Sequence, residues 1–169
     1  PSAFSCGNIG SLKSLSGKIL VIEFFISDKE TQFSSEEETA FHNKIKSSFD
    51  LIGSQANALG GNVEFIYDNQ YFQHDGVLGD AAIDFDIVFA ETGFGSLKAF
   101  AENNYELSEY DGYLFVVCQN KKVKDSCNRY ENTVSTEFYY GERIFMGNNT
   151  DEANLPMYLL QLSGMATYN

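Results

Sequence analysis

Tryptophan is absent from this 169-residue chain, while proline, histidine and cysteine number only two, two and three. Each shortage removes a class of explanation. Two prolines exclude long Pro-rich linkers. The two histidines, His42 and His74, stand far apart, and neither joins a His/Cys cluster with zinc-site spacing, so no metal site is expected. No apolar run reaches the roughly 18 residues of a membrane span. Basic residues are also few, 11 against 24 acidic ones, which gives a net charge of −13. Such a surface repels phosphate backbones and anionic lipid, so neither a nucleic-acid nor a membrane-surface role is expected. The charge serves solubility, or it captures a basic protein partner.

What remains is the composition of a folded protein, 43% hydrophobic and 21% charged, with 15 Phe and 10 Tyr. The length suits one domain with a substantial core. Residues 1–17 are rich in Ser and Gly and read as a leader or loop, and residues 18–169 as a single α/β domain. Because the chain opens on Pro1 rather than Met, removal of a signal peptide or of a tag is expected, and the first of these implies a secreted or periplasmic location.

The elements follow from hydrophobic periodicity. Lys18–Ile26 is almost continuously apolar, as a strand covered on both faces should be. Ser35 and Glu38 fit a capping box, and Phe41, Ile45, Phe49, Ile52, Ala56 and Leu59 recur at helical spacing up to Gly60-Gly61. This predicts a helix of about 36 Å. Asn62–Tyr67 alternates as a second strand, Asp68–Asp84 reads as a long loop, and Phe85–Phe89 as a short strand. Ser96–Asn103 suits a short helix, Tyr113–Cys118 a buried strand, and Thr136–Met146 a strand or hairpin around Gly141. A last helix, Glu152–Ser163, places Leu155, Leu159 and Leu162 on one face and stops at Gly164. The fold class expected is α/β, a three-layer-like mixed sheet with one long helix and a C-terminal helix.

Catalytic signatures are missing. There is no G-x-S-x-G elbow, no P-loop, and no calcium-loop spacing around Asp80, Asp84 and Asp86. Gly93-Phe94-Gly95-Ser96 is a turn into a helix. No cofactor motif is present. Lys121, Lys122 and Lys124 form the one basic cluster and read as a solvated turn between Cys118 and Cys127. Those two cysteines are a candidate disulfide if the loop doubles back, with two free thiols as the alternative, and Cys6 has no evident partner. Asn148-Asn149-Thr150 is a formal glycosylation acceptor.

In element order the chain resembles zincin-like metallopeptidase domains. Ile19–Asp28, the helix from Ser35 to Leu59 and Tyr113–Val117 match the early part of that scheme, and Met157-Tyr158-Leu159-Leu160-Gln161-Leu162-Ser163-Gly164 is similar to its His-Glu-x-x-His helix. The resemblance places Met157 and Gln161 where histidines hold zinc, and Tyr158 where a glutamate acts as general base. Thioether, amide and phenol do not reproduce a hydrolytic zinc site. The resemblance therefore implies a pseudopeptidase, with no catalytic residue and no metal, that acts by binding a protein partner. Two further readings stand beside it: a hydrolase or peptidase whose site the sequence does not display, and an acidic immunity-type inhibitor of a basic toxin. A weaker resemblance joins Leu15–Phe25 to the opening of thioredoxin-like proteins, but Ser27–Gln32 holds no cysteine, so redox chemistry of that type is excluded.

Overall fold

The structure is a computed structural model and describes residues 15–79, 82–94, 97–123, 126–129 and 142–162. Strand β1 (Gly17–Ser27) leads through helix α1 (Ser35–Ala58) to β2 (Val63–Gln73), and helices α2 (Ala82–Glu91) and α3 (Leu97–Asn104) lead on to β3 (Gly112–Gln119). Strands β4 (Ser126–Arg129) and β5 (Glu142–Met146) and helix α4 (Leu155–Leu162) complete the described chain. The sheet order is β2-β1-β3-β5-β4. All pairings are parallel except β4 with β5. The α/β class and the mixed sheet are as expected.

The central position of β1 explains its near-continuous apolarity. Ile19, Val21 and Phe25 pack under α1 and α4, with Phe41, Ile45, Phe49, Leu155 and Leu159. Leu20, Ile22, Phe24 and Ile26 pack under α2 and α3, with Val88, Phe89, Leu97 and Phe100. With both faces covered, only one alternation position of β1 is anomalous: Glu23, on the α1 side, is fully buried.

Three expectations are corrected. Phe85–Phe89 lies within helix α2, not in a strand. Val88 and Phe89 are both buried while Ile87 is exposed, a helical pattern that five residues of mixed apolarity cannot announce. The second strand runs on to Gln73 through what reads as loop, because each of its 11 residues pairs with β1 and backbone pairing needs no apolar side chain. The capping box of α1 sits one residue earlier than expected. Ser34 Oγ accepts from the Glu37 amide at 3.1 Å, and the Glu37 carboxylate accepts from the Ser34 amide at 3.0 Å. Gly60, at φ +90°, ends α1 in a conformation that a side chain would resist. Of Thr136–Met146, residues 142–146 form β5, and the hairpin centre at Gly141 lies outside the described residues.

Candidate functional site

Glu23 and His42 form a buried polar pair inside the apolar core. The apolar strand β1 places the Glu23 carboxyl inside the core, and α1 brings His42 against it. Glu23 Oε1 lies 2.5 Å from His42 Nδ1. Glu23 Oε2 has no hydrogen-bond partner among the described residues. Burial pushes the Glu23 carboxyl above its ordinary range, an effect that His42 opposes and Asp68 reinforces. The histidine side chain is about one-third exposed, at 32%. With Nδ1 turned inward on a buried carboxyl, the outward part of the ring is the opposite edge, which carries Nε2.

This pair is the middle of a longer seam, where α1 runs beside the edge strand β2. At one end, Tyr67 meets the His42 ring edge-on at 5.5 Å, and its hydroxyl donates to Asp50 Oδ1 at 3.0 Å. Burial and the Asp50 carboxylate push the Tyr67 phenol well above its usual range. Lys46 Nζ lies 5.4 Å from the Tyr67 ring centroid and 2.5 Å from Asp50 Oδ2. At the other end, Tyr71 stacks on Phe25, with centroids 5.5 Å apart and planes 17° apart, and its hydroxyl faces Glu38 Oε2 at 3.4 Å. Beyond Asp50 the seam opens into a shallow depression of about 250 Å³ lined by Gly53, Ser54, Asn57, Val63, Glu64 and Phe65.

A doubly wound sheet usually binds its ligand where the strand order reverses, outside the carboxyl ends of the strands. Here that point lies between β1 and β3, and the chain's own groups fill it. Asp28 Oδ1 accepts from the Glu30 and Thr31 amides at 2.9 and 2.8 Å and from Thr31 Oγ1 at 3.0 Å. Its Oδ2 accepts from the Leu78 amide and from Lys121 Nζ, both at 2.9 Å. Lys121 Nζ also donates to the Leu78 carbonyl. Burial alone would raise the Asp28 pKa, but these donors together hold it well below the usual carboxylate range. Every lone-pair direction of Asp28 is engaged within the molecule, so this is a clamp that joins three loops. Close by, His74 Nδ1 lies 3.0 Å from Glu91 Oε2 and its amide donates to the Ser27 carbonyl, tying the segment after β2 to α2 and β1.

The sequence-derived candidates are scattered by comparison. Met157 is 45% exposed on α4, while Tyr158 is buried in the core beneath α1. The Gln161 side chain lies outside the described residues. Among the described residues, no group of three or more His, Cys, Asp or Glu side chains is placed to hold a metal. Of the two alternatives for the cysteines, Cys118 shows the free thiol, and it is buried. Strand β5 runs between β3, which carries Cys118, and β4, which carries Cys127. Two strand spacings amount to about 9.5 Å, beyond the roughly 7 Å a disulfide tolerates between Cα atoms. Lys121 is corrected from a solvated turn to an internal cation; Lys122 is exposed, and Lys124 lies outside the described residues. So do Cys6, Asp80, Gly95 and Ser96, and the side chains of Asp84 and Asp86.

No known protein family, curated protein or solved structure matches this chain. Its site therefore stands on its own geometry. Sequence reasoning missed Glu23, yet the signal was present: a single carboxylate inside the run Lys18–Ile26 has no reason to be there unless it has a partner. That partner, His42, reads in the sequence only as an isolated histidine, because nothing in one dimension links positions 23 and 42.

Proposed function

We propose that this domain is a non-enzymatic module that binds a basic protein partner along the α1–β2 seam. The observation that carries the reading is the make-up of that seam. Tyrosine rings and carboxylates, Tyr67 with Asp50 and Tyr71 with Glu38, line up beside an edge strand on a protein of net charge −13. Aromatic rings with an adjacent carboxylate suit lysine and arginine side chains, and the open side of an edge strand is a frequent recognition platform for extended peptides. Titration with an arginine-rich decapeptide at increasing salt tests the proposal. Binding that weakens steeply with salt is expected, and no binding at low salt would end it.

An immunity-type inhibitor of a basic toxin is one specific form of this reading. The zincin-like pseudopeptidase is another; it rests on the resemblance at Met157, Tyr158 and Gln161, and tight stoichiometric zinc binding to metal-stripped protein would overturn it.

The second reading, a hydrolase, draws support from the Glu23–His42 pair, since a buried carboxylate on Nδ1 fixes the tautomer that leaves Nε2 basic. Hydrolysis of ester or peptide substrates that disappears in His42→Gln would favour it over the binding module.

A further inference from the structure

The seam carries the same arrangement twice, and in one of the two the protein itself shows what belongs there. At the first, Tyr67 donates its hydroxyl to Asp50, and the Lys46 ammonium completes the unit, lying 5.4 Å from the ring centroid and 2.5 Å from the carboxylate. At the second, four residues further along β2, the Tyr71 hydroxyl faces the Glu38 carboxylate. The helix runs antiparallel to this progression, so stepping from Asp50 back to Glu38 on α1 accompanies the step from Tyr67 to Tyr71 on β2. At the second unit the residue four before Glu38, in the place that Lys46 takes relative to Asp50, is Ser34, the N-cap of α1, whose hydroxyl is engaged by the Glu37 amide and which carries no charge. None of the described side chains places a cation on Tyr71.

The geometry points to Tyr71 and Glu38 as a recognition site for an arginine or lysine side chain supplied by the basic partner. One face of the Tyr71 ring is stacked on Phe25 and the residue is 57% exposed, so the opposite face is open to solvent and held at a fixed angle. A planar guanidinium fits such a face best: it stacks on the ring and directs its N–H groups to the Glu38 carboxylate at the ring's hydroxyl end. Lys46 is then the intramolecular example of the contact that Tyr71 and Glu38 make with a partner. The strand advance from Tyr67 to Tyr71, about 13 Å, sets the spacing between the protein's own cation and the partner's. This inference rests on the binding reading above and names the residues that would read the partner's charge.

The test is fluorescence anisotropy with a labelled deca-arginine peptide and its citrulline counterpart, which keeps the planar group without its charge. Expected are binding of the arginine peptide only, about two- to fivefold weaker binding in Glu38→Gln, and a similar loss in Tyr71→Leu. Tyr71→Phe, which keeps the ring, should retain most of the affinity. Glu102→Gln removes the same charge from an exposed position on α3 and should change little. Lys46→Met releases the Tyr67–Asp50 unit and should tighten the peptide by about two- to fivefold. If Tyr71→Leu loses its folded circular dichroism, Glu38→Gln and Lys46→Met carry the result. Equal binding by wild type, Glu38→Gln, Tyr71→Leu and Glu102→Gln would overturn this site while leaving a diffuse acidic binding surface standing. Absence of binding to the wild-type protein would overturn both.

Discussion

The carboxyl of Glu23, at the centre of the sheet, lies 2.5 Å from His42 Nδ1 on the first long helix. One polar contact thus joins the long helix to the sheet within an otherwise apolar interface. Glu23 has a pKa raised above its ordinary 4.5 in the folded state, so between pH 4.5 and the folded pKa the folded protein holds a proton that the unfolded chain has released. Stability is then greatest below pH 4.5 as far as this group is concerned, and its contribution is lost as pH rises through the folded pKa. Glu23→Gln removes that ionisation. Urea unfolding across pH 4 to 8 should show the variant gaining on wild type as pH rises, by about 1.4 kcal/mol for each unit of the raised pKa. A constant difference across that range would remove the assignment.

Asp28 gives the opposite sign. Its folded pKa lies below the ordinary 3.8, so the stability it confers is present above pH 3.8 and lost as pH falls through the folded value. Lys121→Met leaves a buried carboxylate short of its cation and should cost about 3 kcal/mol at neutral pH. Chemical denaturation measures this directly. A loss under 0.5 kcal/mol, the scale of an ordinary surface substitution, would mean that the amides of Glu30, Thr31 and Leu78 suffice.

Cys118 should stay reduced and unreactive. Its thiol is fully buried in β3, and burial, with the Glu23 charge nearby, pushes its pKa up. Thiol labelling of the native protein should spare Cys118, and labelling in denaturant should reach it. A peptide map showing Cys118 bonded to Cys127 would contradict the strand order.

The N-terminal cap of α1 is also open to test. Ser34→Ala removes the acceptor for the Glu37 amide and should cost about 1 kcal/mol. Ser35→Ala, at the position favoured by sequence pattern alone, should change stability by no more than a few tenths of a kcal/mol. The reverse order of effects would shift the cap by one residue.

Local pattern determined a good part of this protein. Lys18–Ile26, Tyr113–Cys118 and the long helix were legible because apolar spacing reports which faces are covered, and the stop at Gly60 because a left-handed turn favours glycine. Phe85–Phe89 was not legible, since five residues of mixed apolarity satisfy both periods. The candidate site was legible only as an oddity: a glutamate in a core strand and a histidine without metal-ligand neighbours. Which strand β1 pairs with, which helix covers it and which side chain meets Glu23 depend on contacts between residues distant in the chain, and single-residue preference carries no record of them. The strand order placed β5 between Cys118 and Cys127 and turned Lys121 inward to Asp28. The same tertiary packing set α1 against an edge strand, so that two tyrosines and two carboxylates, unremarkable in sequence, face one another across a single seam.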